Sequence, residues 1–117
     1  MNEIRLLIVD DHELVREGLT LLLEEAEEIV IAGQAGSVAQ AVTQAVALQP
    51  DVILLDMMLP DGDGTEVLRR VRDSGLDVRV CITTGVNSPA WLQRVMELTP
   101  TCLLRKPIDL VQLLENL

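Results

Sequence analysis

Residues 51–64 read Asp-Val-Ile-Leu-Leu-Asp-Met-Met-Leu-Pro-Asp-Gly-Asp-Gly. Val52, Ile53, Leu54 and Leu55 follow one another with no polar residue between them. A strand with one wet face alternates, so an unbroken apolar run reads as a strand buried on both faces, in the middle of a parallel sheet. The run stops at Asp56, and Pro60, Gly62 and Gly64 then break regular structure. Asp56 therefore stands where a central strand leaves the core. In open α/β sheets, ligands bind in the crevice outside the carboxyl ends of the strands. Asp is also common at the start of a turn, and on this stretch alone the two readings balance.

Working outward, the same pattern recurs. Arg5–Val9 is a short apolar run that ends on Asp10 and Asp11. Glu13–Glu25 reads as a helix with Val15, Leu19, Leu22 and Ala26 on its inner stripe. Ile29–Ala32 is a second strand. Ser37-Val-Ala-Gln40 forms a capping box and opens a helix with Val38, Ala41, Val42, Ala45 and Val46 on one face, stopped before Pro50. Beyond the central strand, Asp63-Gly-Thr-Glu66 caps a helix with Val67, Leu68 and Val71 inside and Ser74-Gly75 as its stop. Asp61 and Asp63 read as turn and cap residues. Val78–Thr84 is strand-like and ends in two hydroxyls before Gly85. Ser88-Pro89 supplies an N-cap and a proline at the first helical position, for a helix to about Leu98. Thr101–Arg105 is a fifth strand ending at Lys106-Pro107, and Asp109-Leu-Val-Gln112 caps a last helix. That helix reaches Leu117 early, which suggests a chain cut from a longer protein.

Five strand–helix units in strict alternation predict an α/β domain. They imply a doubly wound five-stranded parallel sheet with right-handed crossovers. The expected strand order is the flavodoxin-like 2-1-3-4-5. At 117 residues, positions 1–117 form a single domain.

Composition removes several function classes. The chain is 49% hydrophobic, enough to build a core. No apolar run approaches the ~20 residues that span a bilayer, and the N-terminus lacks the basic region of a signal peptide. A cytoplasmic protein without a membrane partner is expected. A net charge of −10 argues against nucleic-acid binding by this domain and favours a cation or a basic surface. Trp91 is the only aromatic residue, so no platform for stacking bases exists. It reads equally well as core or as a residue facing a partner. Cys81 and Cys102, in apolar contexts without metal-ligand spacing, read as buried reduced thiols.

The strand ends collect Asp10 and Asp11, Asp56, Thr84 and Lys106. If strands 1 and 3 are neighbours, three carboxylates share a small volume and repel one another. A hard divalent ion such as Mg²⁺ resolves this with two carboxylates, a backbone carbonyl and waters. Lys106 adds a mobile ammonium and Thr84 a hydroxyl, a set that suits phosphoryl oxygens. Asp56 is then a candidate nucleophile forming an acyl phosphate. Thr83 competes with Thr84, because alternation aims only one of them at the site; spacing to Lys106 favours Thr84. His12, the only histidine, reads as a surface or helix-start residue. Arg69, Arg70 and Arg72 read as a solvated helix face.

Four motifs in order carry a family resemblance: Leu-Ile-Val-Asp-Asp-His at 7–12, Asp-Met-Met-Leu-Pro-Asp-Gly-Asp-Gly at 56–64, Thr84-Gly85 and Lys106-Pro107. Together they resemble the receiver domain of two-component response regulators over essentially the whole chain. The opening IRLLIVDDHELVREGL is similar to regulators that carry a C-terminal helix-turn-helix output domain. The resemblance implies that Asp56 accepts a phosphoryl group from a kinase phosphohistidine or a phosphotransfer protein. It implies Mg²⁺ on Asp11, Asp56 and the backbone carbonyl of Met58, with Asp10 acting through water. It implies that Lys106 pairs with the acceptor, that Thr84 moves toward the phosphate, and that Lys106-Pro107 is a cis peptide. It implies a regulatory phosphoacceptor rather than an enzyme, and an output of transcription control. The surface of helix 4, strand 5 and helix 5 is the expected place for a homodimer or a reader of the state.

The sequence departs from the family pattern at three points. Leu103 replaces the usual aromatic three residues before Lys106, Thr99-Pro100-Thr101-Cys102 lacks the usual glycines, and Met58 stands where polar residues are common. These leave room for a degenerate receiver that binds partners without phosphorylation. A phosphohydrolase with Asp56 as nucleophile is a weaker rival, since Met58 stands where its general acid would be. A nucleotide-binding domain is discarded, because no Gly-rich loop follows strand 1.

Overall fold

In the computed structural model, the structure describes residues 3–85, 89–97, 100, 102–106 and 108–117, with the side chains of Trp91, Arg94 and Leu110 outside that description. Strands β1 (Ile4–Val9), β2 (Ile29–Ala35), β3 (Val52–Asp56), β4 (Arg79–Thr84) and β5 (Cys102–Arg105) form one parallel sheet. Their order is β2-β1-β3-β4-β5, as the alternation of elements predicts. Helices α1 (Glu13–Glu24), α2 (Val38–Leu48), α3 (Gly64–Asp73), α4 (Pro89–Met96) and α5 (Leu110–Glu115) connect and cover it.

The side-chain alternation of a strand divides the core into two layers. Leu7 and Val9 of β1, Ile53 and Leu55 of β3, and Val80 and Ile82 of β4 pack with Ala41 and Ala45 of α2 and Val67, Leu68 and Val71 of α3. Leu6 and Ile8, Val52 and Leu54, and Cys81 and Leu104 pack on the other face with Leu19 and Leu23 of α1 and Leu113 of α5. β3 is buried along its whole length, which is why its sequence shows no alternation. Truncating one of its leucines to alanine would cost about 2–5 kcal/mol, so the strand anchors whatever stands at its end.

Three helices begin as their caps require. Ser37 accepts from the amide of Gln40, Asp63 from those of Thr65 and Glu66, and Asp109 from those of Val111 and Gln112. Ser88 lies outside the described residues.

Several local expectations are corrected. β2 runs on to Ala35, three residues past the apolar run, and its register against β1 slips by one between Leu6 and Leu7. The irregularity lets the strand continue past Gly33, where a Cβ would come within 2.7 Å of Leu48 on α2. On α1 only Leu19 and Leu23 are buried, and Val15 and Leu22 are exposed. Leu14 and Leu21 are exposed further still, at 81% and 67%. The apolar arc of α1 is wider than the stripe the sheet covers. On α2, Val46 is exposed rather than inside. After Asp56 the chain is not irregular: Met58–Leu59 pairs antiparallel with Gly62–Asp63 in a small hairpin. Cys81 and Cys102 are not separate thiols. They face each other across β4 and β5 with Cα atoms 4.6 Å apart, and their sulfurs are joined in a disulfide. They stand 21 positions apart in sequence, and only the strand register reveals the pairing. Among the described residues, no helix is long and apolar enough to cross a membrane.

Candidate functional site

The sheet order brings the carboxyl ends of β1, β3, β4 and β5 side by side. Asp10 follows β1, Asp56 ends β3, Thr84 ends β4 and Lys106 follows β5. Backbone hydrogen bonds carry the sheet one residue past its strands and fix these positions. The amide of Asp10 donates to the carbonyl of Ala35 at 3.0 Å, that of Met57 to Thr83 at 3.2 Å and that of Lys106 to Thr84 at 2.8 Å. Each functional side chain is thereby held by the rigid sheet, not by loops alone.

Asp10 and Asp56 are almost sealed from solvent, each 2% exposed, while Asp11 is open. The ammonium of Lys106 donates to Asp56 Oδ2 at 2.9 Å and lies 3.6 Å from Asp10 Oδ2. The amide of Met58 donates to Asp56 Oδ1 at 3.2 Å. The Asp56 carboxylate is thus gripped by an ammonium on one oxygen and a backbone N–H on the other. Burial pushes the Lys106 pKa down, but the hydrogen bond and charge of Asp56, with the charge of Asp10, outweigh it. The ammonium is held above its ordinary 10.5.

Asp10, Asp11, His12 and Asp56 offer ligand atoms that all lie within 4.8 Å of one another. Three carboxylates face one ammonium, so the pocket keeps excess negative charge, and most of its donors are hard oxygens. This donor set is of the kind that holds a hard divalent ion such as Mg²⁺. Met58 sits at the mouth with its side chain exposed.

Two contacts were not legible in the sequence. His12 belongs to the cluster: its Nδ1 lies 2.9 Å from Asp11 Oδ1 and 3.1 Å from Asp10 Oδ1, though most of the ring is exposed. Its place next to the acidic pair was the only signal. Arg16, one turn into α1, donates from Nη1 to the carbonyl of Asp10 at 2.6 Å and braces that turn. Thr83 and Thr84 are both buried. The Thr83 hydroxyl lies 3.5 Å from the carbonyl of Leu55, toward its own sheet. Leu103 is half-buried against the core layer that holds α2 and α3. Val86 and the expected cis peptide at Pro107 lie outside the described residues.

A five-stranded receiver-like sheet with this acidic strand-end pocket defines a class. Residues 6–117 match the response regulator receiver domain family, and the chain belongs to that family. It is 44% identical over 85 residues to the DNA-binding transcriptional activator DevR/DosR of Mycobacterium tuberculosis, covering 73% of this chain and 39% of that protein. It is 35% identical over 94 residues to the response regulator GacA of Pseudomonas viridiflava, covering 80% of this chain and 44% of that protein. The chain therefore spans less than half the length of these relatives. Among solved structures, the signal receiver domain of the response regulator NarL from Mycobacterium tuberculosis superposes with a TM-score of 0.91 at 29% identity, covering 98% of this chain and 93% of that one.

Proposed function

We propose that this receiver domain is a phosphoacceptor switch in which Asp56 takes a phosphoryl group from a phosphohistidine of a sensor kinase or phosphotransfer protein. The observation that carries this is the grip on Asp56: a nearly sealed carboxylate at the end of the central strand, 2.9 Å from Lys106 and within the Asp10–Asp11 cluster. A carboxylate oxygen of Asp56 attacks phosphorus as the P–N bond to the donor breaks. The electron pair returns to the donor imidazole, which takes a proton from water. Asp11, Asp56 and the carbonyl of Met58 would hold Mg²⁺, and Asp10 would act through a water. When bound, the ion neutralises the carboxylates and the phosphoryl oxygens. Lys106, 2.9 Å from Asp56 Oδ2, supplies a second positive charge for the phosphoryl oxygens. Thr84, buried at the end of β4, supplies the hydroxyl that follows the new charge.

Phosphorylation exchanges the Lys106–Asp56 pair for a Lys106–phosphate pair and pulls on β4 and β5. With Leu103 in place of an aromatic residue, the signal runs through Thr84 and Lys106 toward the surface of α4, β5 and α5, where a homodimer or another reader binds. The names of the relatives point to transcription as the output, through a DNA-binding domain outside this receiver. Leu14 and Leu21, exposed along α1, offer the donor protein an apolar surface that begins at the pocket end of the helix.

The test is incubation with acetyl phosphate and Mg²⁺ followed by intact-protein mass measurement, with chelator as a control. A stable adduct of one phosphoryl group that requires Mg²⁺ is expected. Turnover of acetyl phosphate without an adduct would indicate a hydrolase, and no reaction a phosphorylation-independent binding module.

A further inference from the structure

Asp61 stands at the tip of the hairpin that carries Met58. Its carboxylate reaches beyond its own turn. It accepts from the amides of Val38 and Ala39, at 2.7 Å and 3.1 Å, the first two residues of α2 and 23 and 22 positions away. These amides are helix-end donors without intrahelical partners, and charge-assisted bonds to a carboxylate are their strongest solution. The two bonds hold the Asp61 carboxyl below its ordinary 3.8, against an opposing effect of burial. α2 already has a cap of its own, since Ser37 accepts from Gln40. The helix is thus capped twice, once locally and once from the acceptor loop.

The packing around the tip matches this. A Cβ on Gly62 would lie 3.2 Å from Val38 and 2.7 Å from Glu66, so hairpin, α2 and α3 meet at that point. At the far end of the loop, the amide of Gly64 donates to the carbonyl of Met57 at 2.9 Å. A Cβ on Gly64 would lie 3.0 Å from the carbonyl of Asp56. Met57 is fully buried. The segment from Asp56 to Gly64 is therefore pinned at its base by Met57 and Gly64 and at its tip by Asp61. Met58 lies between the pins.

We infer that Asp61 is a positioning residue for the phosphoacceptor site: by clamping the hairpin tip to the N-terminus of α2, it holds the backbone of Met58 at the distance from Asp56 and Asp11 that the metal requires. This rests on the reading of Asp56 and Mg²⁺ given above. Asp61 touches no reacting atom and acts through the loop.

The experiment compares two ways of uncapping α2. Asp61→Ala removes the clamp and the cap together. Ser37→Ala removes a cap and leaves the loop alone. Mg²⁺ affinity by calorimetry and amide exchange at residues 57–63 are measured on both, and on Asp61→Asn, which keeps one neutral acceptor. Asp61→Ala is expected to weaken Mg²⁺ about fivefold, equivalent to about 1 kcal/mol, and to speed exchange at Met58. Ser37→Ala should lower the melting temperature yet leave affinity and exchange within about twofold of wild type, and Asp61→Asn should fall between. Equal effects of Asp61→Ala and Ser37→Ala, or no effect of Asp61→Ala on either readout, would overturn the inference. If wild type takes up no Mg²⁺, the metal reading fails by itself. Exchange at Met58 then decides the clamp: faster in Asp61→Ala alone supports it, equal in both uncapped variants refutes it.

Discussion

Replacing Lys106 with alanine removes the one ammonium seen to face two nearly sealed carboxylates. The side chains of Asp10 and Asp56 are each 3% exposed, that of Lys106 31%, with Nζ 3.6 Å and 2.9 Å from their oxygens. Breaking a fully buried pair costs about 3–5 kcal/mol, because a charge is stranded. A surface pair is worth about 0–1 kcal/mol. Lys106 is partly wetted and its partners are not, so the expected loss lies between, at about 2 kcal/mol. For a domain of this size that is a fall of about 8 °C in melting temperature. The loss comes from stranded negative charge, which gives two further expectations. Adding Asp56→Asn to Lys106→Ala should recover part of the stability. Mg²⁺ at a hundred times its Kd should stabilise the variant by about 2.7 kcal/mol, replacing the missing cation. The assay is urea denaturation in chelator and in saturating Mg²⁺. A loss in chelator below about 0.5 kcal/mol, or a double variant less stable than Lys106→Ala, would refute the electrostatic argument.

Three other outcomes follow from the same geometry. Asp11→Ala should weaken Mg²⁺ at least about tenfold in calorimetry, since an open carboxylate of the cluster is lost while Asp56 remains. Met58→Asn should shorten the lifetime of phosphorylated protein, measured as decay with Mg²⁺ present and no kinase. Met58 is exposed beside Asp56, where a polar side chain can orient the attacking water, and about 1.4 kcal/mol is worth a tenfold rate. In pH titrations of stability, Lys106 contributes fully below its ordinary 10.5 and loses that contribution as pH rises through its raised folded value. Asp61 contributes above its ordinary 3.8 and loses its share as pH falls through its lowered value. Lys106→Ala should flatten the alkaline limb and Asp61→Asn the acid limb.

Local chemistry made much of this legible in sequence. The unbroken run Val52–Leu55 announced a strand buried on both faces, and the caps Ser37, Asp63 and Asp109 announced helix starts, because both depend on near neighbours. The meeting of Lys106 with Asp56, fifty residues apart, followed only once alternation had supplied the strand order. What escaped was set by register or by distant surfaces. The pairing of Cys81 with Cys102 depends on how β4 slides against β5, which no composition signal encodes. Asp61 looked like a turn residue because its partners lie on another helix. Val15 and Leu22 carry the periodicity of a buried face yet remain outside, since a helix pattern does not state how much of it a sheet will cover.

Reduction of the acyl phosphate tests directly whether Asp56 is the residue that receives the phosphoryl group. Protein treated with acetyl phosphate and Mg²⁺ can be trapped with borohydride, which reduces an acyl phosphate to the alcohol and leaves homoserine in place of the aspartate. Peptide sequencing by mass spectrometry then reads the position. Homoserine is expected at position 56, and absent when Mg²⁺ is chelated. Homoserine at position 10, 11 or 61 instead, or none at any position in protein that carries a phosphoryl mass, would contradict it.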